Sequence, residues 1–129
     1  MATEILVNDG GAPARILPFT ANHALSGGHV VKIHTDGKVQ KTAAGGKTTI
    51  GVALTDAAAD APMSVISGHG VILNVYVKGT AASGALLEVV DTGILGTGSG
   101  TEDGDNVAIA IEAGPGGSDV ALKKVLMRY

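Results

Sequence analysis

The side chains best suited by type to chemistry are Gly46-Lys47-Thr48, four histidines, an acidic run at Glu102–Asn106 and scattered serines. A phosphate loop of the form G-x-x-x-x-G-K-[ST] needs its first glycine to turn the chain, so that successive N–H groups face the phosphates. That place holds Lys41. The loop should also leave a buried strand and open a helix, whereas Ile50, Val52 and Leu54 alternate with Gly51, Ala53 and Thr55, the period of a strand. Gly46-Lys47-Thr48 therefore reads as a turn before a strand.

Neutral imidazoles are common zinc and copper ligands, which makes His23, His29, His34 and His69 worth testing. None pairs with a carboxylate at motif spacing. They read as partly exposed histidines, with an ion shared between subunits or on a trimer axis as the competing reading. "EDGDN" (Glu102 to Asn106) resembles a calcium loop, but the pattern requires an acid or amide where Val107 stands. "GTGSGT" (Gly96 to Thr101) lacks the strand, helix and distant acid of a dinucleotide fingerprint. Ser26, Ser64, Ser67, Ser83, Ser99 and Ser118 include no G-x-S-x-G elbow, and Asp56 and Asp60 sit in an alanine-rich corner with no apolar pocket to raise a pKa. No enzyme, metal or cofactor is expected.

Composition narrows the remaining classes. Nine basic and twelve acidic residues are scattered along 129 positions, and the only aromatics are Phe19, Tyr76 and Tyr129. Duplex binding rests on clustered Lys and Arg and single-strand binding on stacked aromatics, so no nucleic acid is expected. The chain has no cysteine, which excludes disulfides. Its densest apolar stretch, "VILNVYV" (Val71 to Val77), contains Asn74 and is far shorter than the roughly 20 residues of a bilayer helix. No membrane partner is expected. Glu4 stands where a secretory signal would be basic, which predicts an unexported protein.

These residues must be positioned by strands. Twenty glycines divide the chain into short apolar runs of period two, which predicts an all-β fold of antiparallel strands. The strands fall at Ala14 to Thr20, Val30 to His34, Lys38 to Lys41, Thr49 to Leu54, Met63 to Ser67, Val71 to Lys78, Leu86 to Val90, Val107 to Glu112 and Val120 to Met127. Asp36-Gly37 is a two-residue hairpin signal, and Pro18 puts the first strand at an edge. "TDAAADAP" (Thr55 to Pro62) allows one helical turn, and the change of phase at Lys123-Lys124 predicts a bulge.

An internal repeat organises these strands. "GHVVKIHTDGKV" from Gly28 lies on "GALLEVVDTGIL" from Gly84, an offset of 84 minus 28, or 56, and Val39 falls on Leu95. "IGVALTDA" from Ile50 matches "VAIAIEAG" from Val107, and Met63 and Val65 match Val120 and Leu122. "GGKTT" thus occupies the place of "EDGDN". The expected organisation is an arm over residues 1–13 and a single β domain over 14–129, with repeats at about 24–67 and 80–127. Two such copies should share one core as a compact β-barrel or β-sandwich of pseudo-twofold character. Small Gly51, Ala53, Ala108 and Ala110 call for a close surface from the other copy or another subunit.

"ALSGGHVVKIHTDGKVQKT" and "TIGVALTDAAADAPMSVISGHGVILNV" together resemble the small capsid cement or decoration proteins of tailed bacteriophages and related viruses, including the lambda-like head decoration type. The resemblance covers roughly Ala24 to Met127 and lies in composition and pattern. It implies a small β-tulip-like fold, often a trimer, on the outer surface of the assembled head shell. The partner would be the major capsid protein, the role capsid stabilisation, and the location the virion surface after synthesis in the host cytoplasm. Some lambda-like members use an N-terminal arm that orders on the shell. By that resemblance Ile5, Leu6, Val7, Ile16, Leu17 and Phe19 would be capsid-contact residues, with Gly10-Gly11 as a hinge. The alternative is a small β-barrel binding module that recognises a ligand or surface polymer through the Gly-rich loops Gly93 to Asn106 and Gly114 to Ser118.

Overall fold

The computed structural model describes residues 5–8, 15–97 and 106–128. Among these residues all regular structure is strand, as the period-two pattern predicts. The strands are β1 (Leu6–Asn8), β2 (Arg15–Thr20), β3 (Val30–Ile33), β4 (Val39–Lys41), β5 (Gly51–Ala53), β6 (Pro62–Ser67), β7 (Ile72–Lys78), β8 (Leu86–Asp91), β9 (Ile94–Gly96), β10 (Ala108–Ala110) and β11 (Val120–Met127). The alanine-rich corner at Thr55–Pro62 forms no helix. Leu25 and Ala57 pair across it, and Asp60 turns the chain at a φ of 64°.

The strands form two rings of like connectivity. In the first the order is β2-β6-β5-β3-β4, and a parallel bridge between Ala21 and Val39 brings the last strand back to the first. In the second the order is β7-β11-β10-β8-β9, and Val77 pairs in parallel with Leu95 to close it. Both closures differ by the repeat offset: 77 minus 21 and 95 minus 39 each give 56. Each closing bridge shortens the free edges that the strands would otherwise expose.

The pairing shifts one part of the expected repeat. Leu17 pairs with Val65 and Leu73 with Val125, and 73 minus 17 is 56. Val65 therefore corresponds to Val125, not to Leu122, because the corner before β11 is longer than the corner before β6. The expected bulge is also absent: β11 runs against β7 in unbroken register from Val120↔Lys78 to Leu126↔Ile72. Its phase changes because both faces are used. Val125 and Met127 point into the second ring, while Leu122 packs outward.

Alternation assigns the interiors. Leu73, Val75, Val77, Leu87, Val89, Leu95, Ala108, Ala110, Val125 and Met127 fill the second ring; Val31, Val39, Ala53, Met63 and Val65 fill the first. The small residues expected to meet the other copy or another subunit line their own rings. A Cβ on Gly51 would collide with the Ile66 carbonyl and lie 2.9 Å from a Val65 methyl, so only glycine lets β5 approach β6 this closely.

Of residues 1–13, expected as an arm, the structure describes residues 5–8. Ile5–Asn8 lies along the edge of β7, with Leu6 opposite Leu73, Asn8 opposite Ile72, and the Asn74 N–H donating to the Ile5 carbonyl at 2.8 Å. Ile5 is 5% exposed and belongs to the core. In its described part this segment is therefore a strand of the domain, held by backbone pairing and apolar burial.

Candidate functional site

The loop that resembles a phosphate cradle joins the two rings. The Gly45 N–H donates to Val89 O at 2.8 Å, the Gly46 N–H turns back to Ala43 O at 2.9 Å, and the Gly93 N–H reaches Thr42 O at 2.7 Å. Thr42 is fully buried, and the Thr49 hydroxyl bonds to its Oγ1 at 3.0 Å. Of the N–H groups that a phosphate would require, that of Gly45 is used across the seam between rings and that of Gly46 within the turn. Gly45 has a φ of 73°, so glycine serves the turn here.

The histidines are dispersed. His34 Nδ1 is 3.1 Å from Asp36 Oδ1 in the β3–β4 hairpin, and His69 Nδ1 is 3.1 Å from Arg128 O. His29 stacks on Tyr76 of the second ring with centroids 4.6 Å apart, and its Nδ1 accepts the Ser26 N–H at 3.3 Å. Burial, and then the positive charge of Lys41, hold this imidazole below its ordinary pKa. No group of three metal-ligating side chains occurs among the described residues.

The carboxylates have structural partners. Asp56 accepts the Gly27 N–H at 2.8 Å, and Asp60 accepts from Lys38 Nζ at 2.7 Å. Residues 98–105, which include most of the calcium-like and dinucleotide-like runs, lie outside the described residues, while Asn106 is buried. The second Gly-rich loop is stapled to its own ring: the Gly114 N–H donates to Ala81 O at 2.8 Å and the Gly116 N–H to Gly79 O at 2.9 Å.

The contact residues suggested by the family resemblance separate. Ile5 is in the core, Leu6 is half-buried against it, and Val7 stands between Leu6 and Asn8 in β1. Phe19 is half-buried against the first interior. Ile16 and Leu17 remain outside, 51% and 42% exposed on β2, which pairs with β6 along one edge and approaches β4 only at its far end. They are exposed apolar residues on opposite faces of this edge strand, Ile16 opposite Ile66 and Leu17 opposite Val65.

A second apolar surface was missed from sequence. On the outer face of the second ring Leu86 pairs with Ile109, Ile109 with Leu126 and Leu126 with Ile72, giving one row across four strands. Leu86 is 37% exposed and the other three are half-buried. The signal lay in alternation, since each is flanked by interior residues of its strand.

No protein-family model matches the sequence, and no curated protein matches it either. Among solved structures, the head fiber gp8.5 N base of bacteriophage phi29 is similar to this chain, with a TM-score of 0.65 over 89% of this chain and 94% of that one. At 11% identity the likeness is one of fold, an all-β architecture that the two chains share over nearly their whole lengths.

Proposed function

We propose that this chain is a noncatalytic structural component of a phage head. The observation that carries the reading is the fold likeness, which spans nearly the whole of both this chain and a head fiber base. The lambda-like type suggested by the sequence pattern is one branch of that broader class, and the fold likeness favours the class without selecting the branch.

Within this reading the chain binds the outer surface of the assembled shell, has the major capsid protein as its partner, and stabilises the shell as a self-associated trimer. A protein that binds the assembled shell and not its separated subunits favours assembly by mass action. Ile16 and Leu17 are the capsid-contact residues of this proposal, because among the described side chains of the six suggested in sequence they are the exposed ones. Ile5 serves the fold.

The test is co-sedimentation of the purified chain with expanded shells, with quantitative mass spectrometry of intact particles from the source. Saturable binding, a copy number set by shell symmetry, and loss of binding in Ile16→Ser/Leu17→Ser support the reading. Absence from particles overturns it.

A further inference from the structure

The seam between the two rings runs in one direction. Outside the strand ladders, four backbone hydrogen bonds cross it among the described residues: Tyr76 N–H to Gly28 O, Val30 N–H to Gly93 O, Gly93 N–H to Thr42 O and Gly45 N–H to Val89 O. The first ring contributes the start of β3 and the loop after β4; the second contributes β7 and the β8–β9 hairpin. Gly28 touches the second ring so closely that a Cβ there would lie 2.5 Å from Leu122 Cδ2. A twofold arrangement would repeat these contacts with the rings exchanged, and among the exchanged residues Gly84, Leu86, Ile33 and Gly37 are exposed.

Register identifies the exchanged residues. The first ring's outer row is Val30, Val52, Ile66 and Ile16, paired in that order. Val30, Val52 and Ile66 are fully buried in the cluster that includes the second ring, Ile5 and Leu122. The corresponding row of the second ring is Leu86, Ile109, Leu126 and Ile72, the partly exposed row described above. On the other side of the seam, Val89 and Gly93 correspond to Ile33 and Gly37 of the β3–β4 hairpin, since 89 minus 33 and 93 minus 37 are both 56. Ile33 is 51% exposed.

We infer that copies of this chain associate head to tail, the Leu86–Ile109–Leu126 row of one packing on the β3–β4 hairpin of the next at Ile33 and Gly37. The contact continues the seam already present inside the chain, so the occupant of the open row is a second copy offering the surface that the row's counterpart already meets. Such an interface is heterologous, and it yields a ring if the rotation closes. It leaves Ile16 and Leu17 available. The inference deepens the self-association in the proposed function and rests on that reading, but its test contains no shell. Failure to self-associate and failure to bind shells are therefore separate results.

The experiment is sedimentation equilibrium of the full chain over a concentration series, with Leu86→Glu, which breaks the row, and Ile33→Glu, which breaks the hairpin face. Circular dichroism verifies the fold of each, and Leu86→Ser with Ile33→Ser is the milder pair should a glutamate variant not fold. The wild type is expected at a small multiple of the chain mass and each variant alone at the mass of one chain. Their equimolar mixture is expected to form a dimer, because the row of Ile33→Glu and the hairpin of Leu86→Glu make one intact contact. A wild type that stays at one chain mass, a folded variant that keeps the wild-type mass, or a mixture that gains no mass overturns the inference.

Discussion

Replacing Ile5 by alanine distinguishes a structural strand from a detachable arm. The change removes roughly three buried carbon groups at ~0.8 kcal/mol each, about 2.4 kcal/mol in transfer free energy. A residual cavity between the rings raises the loss to about 3–4 kcal/mol. Ile16→Ala is the matched control: the same atoms are removed, but Ile16 is 51% exposed, so the loss should stay below about 1.2 kcal/mol. Because the chain has no tryptophan, urea unfolding is best followed by far-ultraviolet circular dichroism. With a slope of about 2 kcal/mol/M, Ile5→Ala should move the midpoint down by about 1.5–2 M and Ile16→Ala by at most about 0.6 M. A midpoint for Ile5→Ala within about 0.3 M of wild type would show that β1 adds nothing to the fold. The segment would then be an arm after all.

Gly51→Ala should lower the melting temperature by about 5–10 °C, because a Cβ would meet the Ile66 carbonyl and force β5 from β6; an unchanged melt refutes that close approach. Stability should fall on acidification below pH 6.5. The His29 pKa is depressed in the fold, so the unfolded chain takes the proton more readily and the loss accumulates from 6.5 down through the folded value. Asp36 and Asp91 are held low by the Lys38 and Thr92 N–H groups and act in the same direction nearer the carboxylate range. Comparison with His29→Gln isolates the histidine: if the variant loses as much stability as wild type between about pH 7.5 and about pH 5.5, His29 is not the source. Neither millimolar nucleotide nor a chelator should shift the melt of the wild type, and a rise with nucleotide would reopen Gly46-Lys47-Thr48 as a site.

Much of the local architecture was legible because its causes are local. Period-two alternation and Asp36-Gly37 located most strands, and Gly37, at a φ of 84°, makes the turn that the pair predicts. The offset of 56 reappears in both ring closures because Val39 and Leu95 have the same task. What depended on distant chain was less visible. Leu6–Asn8 looks like an arm because three residues before a glycine pair carry little periodicity, and its pairing partner is β7, with Leu6 opposite Leu73, 73 minus 6 or 67 positions away. Leu122 beside Val125 looks like a slipped strand until both faces of β11 are known to be covered. The candidate surface divides similarly: Ile16 and Leu17 are singled out as apolar anchors by the family resemblance, whereas Leu86 and Ile109 resemble core residues of any strand.

The same point explains why the duplicated rings need not share a role. Gly28 and Gly84 are interchangeable to a reader of the sequence, and so are Val30 and Leu86. Only the path of the chain decides which row is covered from within. The residues following Gly28 have a second ring of the same chain against them, whereas the row beginning at Leu86 does not. Covering the first row stabilises the monomer; leaving the second open gives a surface already suited to a known partner shape. The side-chain chemistry points the same way. Asp56, Asp60, Thr42 and the N–H groups of Gly45, Gly93 and Gly114 hold turns and rings together, so these polar groups are engaged in the fold. The row beginning at Leu86 adds an apolar patch to the outer surface, and apolar patches of that kind recognise other protein surfaces.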